Sequence, residues 1–309
     1  MPESIHLFYH CDNDGDCSAA VAMQWIELQG KSDILKLYRI NYGMPFPWED
    51  IKPTDTVIMV DFSLQPYDEM YRLRDLLQEN GTLIWIDHHK TALDFLPDLR
   101  VAGLREIGKA GCELAWKYFF PNEPAPYVVG LVGRFDVWDH KSLYSWNDEI
   151  VPMGSFISFE KMDPAKEGVP QKWFKFFKMN KEEHAGNIEK GSFIMEVNSR
   201  RDHSYCKSRK HEGILTTPVG KLKVITVNGG ITHSLTLEEF FEPSKHEAIM
   251  IYTRVPSGNI CVSLYVPSDL GLTTNVGAHA KSLGGGGHMY AARFEVPYET
   301  FGEIFHISQ

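Results

Sequence analysis

One stretch limits what this chain can fold into more than any other. Leu83-Ile84-Trp85-Ile86 is an apolar run that passes directly into Asp87-His88-His89-Lys90. An apolar run closed by a polar cluster reads as a strand buried on both faces. Such strands belong to parallel sheets covered by helices, where ligand sites lie beyond the carboxyl ends of the strands. An acid and two adjacent histidines at that point suit metal binding. Taken alone, they read equally well as polar residues at a strand end.

The preceding residues repeat the pattern. Residues 5–9 read as a strand that stops at His10, followed by the polar loop Cys11-Asp12-Asn13-Asp14-Gly15-Asp16. Ser18 is the expected cap of a helix over 19–29, which Gly30 ends. Residues 34–40 and 55–61 read as further strands, the latter ending in Asp61, and 67–79 has helical spacing up to Asn80-Gly81. Strands alternating with helices predict a doubly wound parallel sheet.

Beyond the opening motif, 110–120 reads as a helix and 121–126 as a proline-rich breaker. Residues 127–135 are apolar and run into Asp136, read here as another strand end. Residues 151–212 are rich in lysine and aromatics, and 181–210 reads as one long helix. From Gly213 the composition changes, with strand signals at 221–227, 248–254 and 259–266 and turns at Gly229-Gly230 and Ser257-Gly258. Residues 275–282 read as a short helix before Gly284-Gly285-Gly286-Gly287-His288. The expected architecture is α/β: a doubly wound parallel sheet in a domain at 1–190, a helical linker at 191–212, and a smaller α/β domain at 213–309, with a cleft between them.

With 309 residues and 43% hydrophobic content, the chain has enough apolar material for real cores. No apolar run is long enough to span a bilayer, so no membrane association is expected. Five scattered cysteines without a Cys-x-x-Cys pair support neither a disulfide framework nor a thiolate zinc site, and suggest a cytoplasmic setting. A formal charge of −10 argues against a broad duplex-DNA binder. It is compatible with an enzyme for phosphate esters, because acids that hold divalent metals present a positive surface to substrate.

Acids and histidines therefore gather at four predicted strand ends: His10 with Asp14 and Asp16, Asp61, Asp87-His88-His89, and Asp136. Carboxylates and imidazoles without thiolates suit Mn²⁺, Fe or Zn²⁺ more than Ca²⁺. The ligands outnumber what one ion needs, and a pair of ions that clamps a phosphoryl group and activates water is the natural count. Each piece also has a plain reading. Asp12-Asn13-Asp14-Gly15 is an ordinary turn sequence, Asp61 alone is a capping acid, and the glycine run is a flexible turn or an anion-binding backbone nest. The basic run Arg200-Arg201-Asp202-His203, with Lys207, Arg209, Lys210 and His211, reads as a solvated helix face or as a cleft lining that steers nucleic acid.

In order and spacing these motifs resemble the DHH phosphoesterase superfamily, over nearly the whole chain. His10-Cys11-Asp12-Asn13-Asp14-Gly15-Asp16 is similar to the first motif, Val60-Asp61-Phe62-Ser63 to the second, Asp87-His88-His89 to the third and Gly133 to Trp138 to the fourth. Gly284 to Ala292 resembles the glycine-rich signature of the DHH-associated C-terminal domain, with Arg293 where that signature has glycine. The resemblance implies that His10, Asp14 and Asp61 hold one ion, while Asp16, Asp61, His88 and Asp136 hold the other. It implies that His89 faces the scissile phosphate and that Asp87 orients the histidines. Gly285, Gly286, Gly287, His288 and Arg293 would bind the far end of the substrate.

The implied activity is that of a nanoRNase-like phosphodiesterase. It would use two divalent ions, Mn²⁺ first and Mg²⁺, Co²⁺, Fe²⁺ or Zn²⁺ as alternatives, on short oligonucleotides or small nucleotides. A 3′-phosphoadenosine 5′-phosphate phosphatase, a cyclic-dinucleotide phosphodiesterase and an exopolyphosphatase keep the same chemistry. A non-catalytic nucleotide-binding protein is the reading from another class. A homodimer through residues 151–212 is a further expectation.

Overall fold

The computed structural model describes residues 4–229, 234–267 and 270–308. The chain divides into two compact units, Met1–Met195 and Glu196–Gln309.

The first unit is built on β1 (Ile5–His10), α1 (Asn13–Leu28), β2 (Leu35–Ile40), β3 (Thr56–Val60), α2 (Asp68–Leu77) and β4 (Thr82–Ile86). The strands form a parallel sheet in the order β2-β1-β3-β4. Successive side chains of a strand point to opposite faces, and both faces are covered here. Leu7, Tyr9, Ile58, Val60 and Ile86 enter one core with Ala19, Ala22 and Ile26 of α1. Phe8, Val57, Met59, Leu83 and Trp85 enter the other with Met70, Leu73 and Leu77 of α2. This is the doubly wound arrangement expected from the alternation of apolar runs.

One helix boundary departs from expectation. α1 begins at Asn13, within the segment read as a polar loop. Its cap is Asp12, whose side chain accepts from Gly15 N at 2.8 Å, whereas Ser18 is buried inside the helix. Gly15 is required there, since a Cβ would lie 2.3 Å from His10 O.

β4 is flanked by an extended stretch at 102–105. Trp85 N donates to Ala102 O and Asp87 N to Leu104 O, and Asp87 is bridged to Arg105. Gly103 has φ +120 there, and a Cβ on it would lie 1.9 Å from Trp85 O.

The unit continues with α3 (Lys90–Phe95), α4 (Gly111–Phe119), α5 (Tyr127–Asp136), α6 (Val151–Glu160) and α7 (Val169–Lys178). Residues 127–136 are thus a helix, and Asp136 stands at a helix end rather than a strand end. The apolar run Val128 to Gly133 is buried along one helix, which periodicity alone does not separate from a short buried strand. α8 (Lys181–Arg209) is a single helix of 29 residues that contains most of the expected linker and the point where the two units divide. Arg200 pairs with Glu196 and Arg201 with Asp202, so these basic side chains lie on a solvated face.

The second unit carries β5 (His211–Thr217), β6 (Gly220–Asn228), β7 (Ala248–Arg254), β8 (Ile260–Tyr265), α9 (Val276–Ser282), β9 (Gly286–Gly287), β10 (Ala291–Val296), α10 (Tyr298–Ile304) and β11 (Phe305–Ile307). Its mixed sheet runs β11-β5-β6-β7-β8-β10-β9 among the described residues. The core includes Leu215, Val224, Met250, Val262, Leu264, Ala280 and Phe294. The expected turn at Gly229-Gly230 lies partly outside the described residues. Among the described residues no helix is long and apolar enough to cross a membrane.

Candidate metal centre

The order β2-β1-β3-β4 reverses direction at β1 and β3, so a crevice opens between their carboxyl ends. His10 closes β1, Asp61 follows β3, and Asp87-His88-His89 follows β4. Asp61 has φ 53, in the left-handed region, and its N–H donates to Ile86 O at 2.9 Å. Aspartate is among the few residues that tolerate this conformation.

Asp61 is the hub. Its Oδ1 lies 3.1 Å from His88 Nε2 and 3.9 Å from His89 Nδ1, and its Oδ2 lies 3.9 Å from His10 Nδ1. His88 Nε2 is also 3.3 Å from Asp136 Oδ2 and 3.8 Å from Asp14 Oδ2. On the other side, His10 Nδ1 stands 2.5 Å from Asp12 Oδ2 in an orientation that makes no hydrogen bond. Three ligand groups result, each with its donor atoms within 4.8 Å of one another: His10, Asp12 and Asp61; Asp61, His88 and His89; Asp14, His88 and Asp136.

Asp14 is fixed from behind by the amino end of α4. Its Oδ2 accepts from Gly111 N at 2.7 Å and its Oδ1 from Cys112 N at 2.8 Å. These amides have no partner inside the helix and favour an anion. Asp87 is fully buried. Its Oδ1 accepts from His88 N at 2.8 Å, His89 N at 3.2 Å and His89 Nδ1 at 2.7 Å, while its Oδ2 takes Trp85 Nε1 at 3.3 Å. Asp87 therefore aims the His89 ring and ties down the backbone under both histidines.

Two expected assignments change. Asp16, expected as a ligand, is not brought to the cluster: Arg39 Nε donates to its Oδ1 at 2.8 Å and an Arg39 terminal nitrogen to its Oδ2 at 3.0 Å. Asp12, not assigned as a ligand from the sequence, joins His10 and Asp61 instead. The cause is the early start of α1. Residues two apart on a helix point roughly 200° apart, so Asp14 joins a ligand group while Asp16, at the rim of the same pocket, turns to Arg39. Preference for Asp at a helix cap was the signal available for Asp12.

Electrostatics fit a cation site. Burial raises Asp14 above the ordinary carboxylate range. Burial, then the charges of Asp14, Asp12 and Asp136, raise Asp61 well above it. Burial with Asp14 and Asp12 nearby pushes Asp136 up to about 8. Carboxylates crowded in this way repel one another, and divalent cations relieve the repulsion. Burial lowers His88. Burial also acts to lower His89, but its hydrogen bond to Asp87 and the Asp87 charge outweigh that, and the group lies above its ordinary value.

The carboxy-terminal candidates belong to the second unit. Gly286 and Gly287 pair with Arg293 and Ala292 in an edge ladder, and a Cβ on Gly285 would lie 2.2 Å from Arg293 O. Gly284 N, Gly285 N and His288 N donate to Lys281 O, Ala280 O and Ala291 O. Three of the N–H groups that an anion nest needs are thus already used, and the run acts as a helix stop leading into an edge strand. The His288 and Arg293 side chains are exposed. In the same unit, Asn228 O accepts from Tyr205 Oη, and the Arg254 guanidinium lies over the Tyr298 ring.

Residues 4–129 match the family model described as DHH family, N-terminal domain. An 89-residue stretch is 36% identical to uncharacterized protein R106 of Acanthamoeba polyphaga mimivirus, covering 28% of this chain and 20% of that protein's length. Among solved structures, the pGpG-specific phosphodiesterase PggH from Vibrio cholerae aligns with a TM-score of 0.50 at 11% identity, covering 97% of this chain and 96% of that one. RecJ in complex with Mn²⁺ from Thermus thermophilus aligns with a TM-score of 0.48 at 16% identity, covering 97% of this chain and 50% of RecJ.

Proposed function

We propose that this chain, whose residues 4–129 match the DHH family N-terminal domain, is a metal-dependent phosphoesterase acting on short oligonucleotides or small nucleotides. The observation that carries this reading is the convergence of His10, Asp12, Asp14, Asp61, His88 and Asp136 on one crevice, with His89 beside them and 35% of its side chain exposed. His10, Asp12 and Asp61 would hold one divalent ion, and Asp14, Asp61, His88 and Asp136 a second. Mn²⁺ is the first choice. Two such ions supply charge neutralisation at a phosphoryl group and activation of water at neutral pH.

The chain's own groups add orientation and charge. His89 Nδ1 is committed to Asp87, which leaves Nε2 for a non-bridging phosphate oxygen. Protonated His89 is favoured by Asp87, so it meets developing negative charge as a donor. Asp14, held by two helix amides, keeps its carboxylate in place without relying on its acidic neighbours. In the second unit, Gly285, Gly286, Gly287, His288 and Arg293 remain the candidates for the rest of the substrate. The five cysteines are all free, which suits a reducing compartment such as the cytoplasm.

Replacing Asp61 with Asn should abolish Mn²⁺-dependent cleavage of a linear dinucleotide, the first substrate to try given the activity named for the Vibrio cholerae relative. Wild-type turnover by that variant rejects the assignment. A panel of linear and cyclic dinucleotides, 3′-phosphoadenosine 5′-phosphate and polyphosphate separates the substrate classes. A protein that binds nucleotides and metal but cleaves none of them would be the non-catalytic alternative, against which the full ligand set argues.

A further inference from the structure

A cavity adjoins the metal centre beside His10. It has a volume of about 200 Å³ and is walled by Tyr42, Phe46, Trp48 and Phe62, with Asn41 and Gln65 among its polar groups. That is small for a drug-sized pocket and suits a single planar ring system.

This cavity shares a wall with the candidate catalytic groups. The Tyr42 ring lies 5.5 Å from the His10 ring, 5.1 Å from Phe62 and 6.4 Å, edge-on, from His89. Asn41 Oδ1 touches His10 Nε2 at 3.2 Å and accepts from Tyr42 N at 2.8 Å, so one residue ties the metal side to the aromatic side. The aromatic wall is braced. Phe46 packs at 4.6 Å on buried Phe8 and at 4.8 Å on Trp48, and the Arg72 guanidinium lies 3.9 Å over Trp48. Gly43, with φ +82, turns the chain so that Tyr42 and Phe46 line the same cavity. Tyr42 stays 36% exposed, beside buried Phe62 and half-buried Phe46 and Trp48.

From this geometry we infer that the Tyr42–Phe62 pocket is a nucleobase site, which seats the base of the nucleoside next to the phosphate held at His89. The inference rests on the phosphoesterase reading and narrows its substrate to esters that carry a nucleobase. Stacking accepts any base, because every base offers a π face. Asn41 and Gln65 supply side-chain amide groups for a base edge. Tyr42 positions substrate and takes no part in bond breaking.

The test is stopped-flow fluorescence of a linear dinucleotide containing 2-aminopurine, mixed with full-length protein and Mn²⁺, with KM and kcat measured on the same dinucleotide and on its abasic counterpart. Stacking quenches 2-aminopurine, so a quench that precedes turnover is expected in the wild type and in Tyr42→Phe and should be absent in Tyr42→Leu. Tyr42→Leu should raise KM for the base-carrying dinucleotide about 10-fold, in the range that one stacked base contributes, and so bring it toward that of the abasic ester.

Equal wild-type KM values for the two esters, no wild-type quench, or a quench retained in Tyr42→Leu would overturn the inference. Should quenching follow the predicted pattern while no ester is cleaved, the base site stands and the phosphoesterase reading falls.

Discussion

Gly111 lies directly against Asp61: a Cβ at position 111 would come within 2.6 Å of Asp61 Cβ and 3.0 Å of Asp14 Oδ2. A residue that binds nothing through a side chain therefore sets how closely the amino end of α4 approaches the hub of the crevice. Gly111→Ala should displace Asp61 and Asp14 without removing any ligand. The expected result is a loss of about 1–3 kcal/mol in urea unfolding, the usual scale for overpacking, together with weakened Mn²⁺ binding by calorimetry. Unchanged metal affinity would mean that α4 can retreat freely.

Asp12 and Asp16 offer a paired comparison. Asp12→Asn should weaken metal binding by about 100-fold or more, since even partners outside the ligand set cost 10–100-fold. Asp16→Asn should leave metal affinity unchanged. It should lower stability by about 1 kcal/mol, because its partner Arg39 is partly solvated and screened. Metal titration of both variants decides between the ligand set in the crevice and the one expected from motif spacing.

The metal-free protein should respond to pH through Asp136. Its folded-state value, pushed up to about 8, lies above the ordinary carboxylate value, so the folded state binds the extra proton. Stability from this group is then fullest below about pH 4 and is lost as pH rises toward 8. Asp136→Asn removes the effect. The melting temperature of the metal-free variant, relative to metal-free wild type, should rise between pH 5 and pH 8. A constant difference would show that burial and the charges of Asp14 and Asp12 do not raise Asp136. With Mn²⁺ added, the wild type should regain more stability at pH 8 than at pH 5.

Away from the crevice, buried Asp55 gathers three donors: Ser4 N at 3.0 Å, Lys52 N at 2.9 Å and His6 Nε2 at 3.0 Å. Asp55→Ala takes this acceptor from the buried His6 ring and from the partly buried Ser4 and Lys52 amides. It should cost about 2–5 kcal/mol, read from the urea midpoint, with no direct effect on metal binding.

The strand ends were readable because buried parallel strands are apolar throughout and stop abruptly at polar residues. Ile86 before Asp87 and Val60 before Asp61 leave little choice of boundary. The start of α1 was harder, since Asp12-Asn13-Asp14-Gly15 has the composition of a turn and is also a capped first turn. The family resemblance implies Asp16 as a ligand, whereas the capped first turn brings Asp12 to His10 and Asp61. Asp136 is legible as a cluster member from its motif, but not its element, because a buried helix and a buried strand are both simply apolar over six residues. The aromatic pocket has no sequence signal: Tyr42 and Phe46 come from the loop after β2 and Phe62 from the loop after β3, and they meet only in the folded chain.

The stretch at 102–105 beside β4 has a consequence for chemistry. A one-residue slip of a strand turns every side chain to the opposite face. At the end of β4 such a slip would exchange Asp87 for His88 in the buried position and His88 for His89 at the hub. The bonds from Trp85 N to Ala102 O and from Asp87 N to Leu104 O, with Gly103 admitting the close approach, remove that freedom. A segment outside the candidate site thereby acts as a register lock, and it decides which of two identical neighbouring side chains stands closer to Asp61.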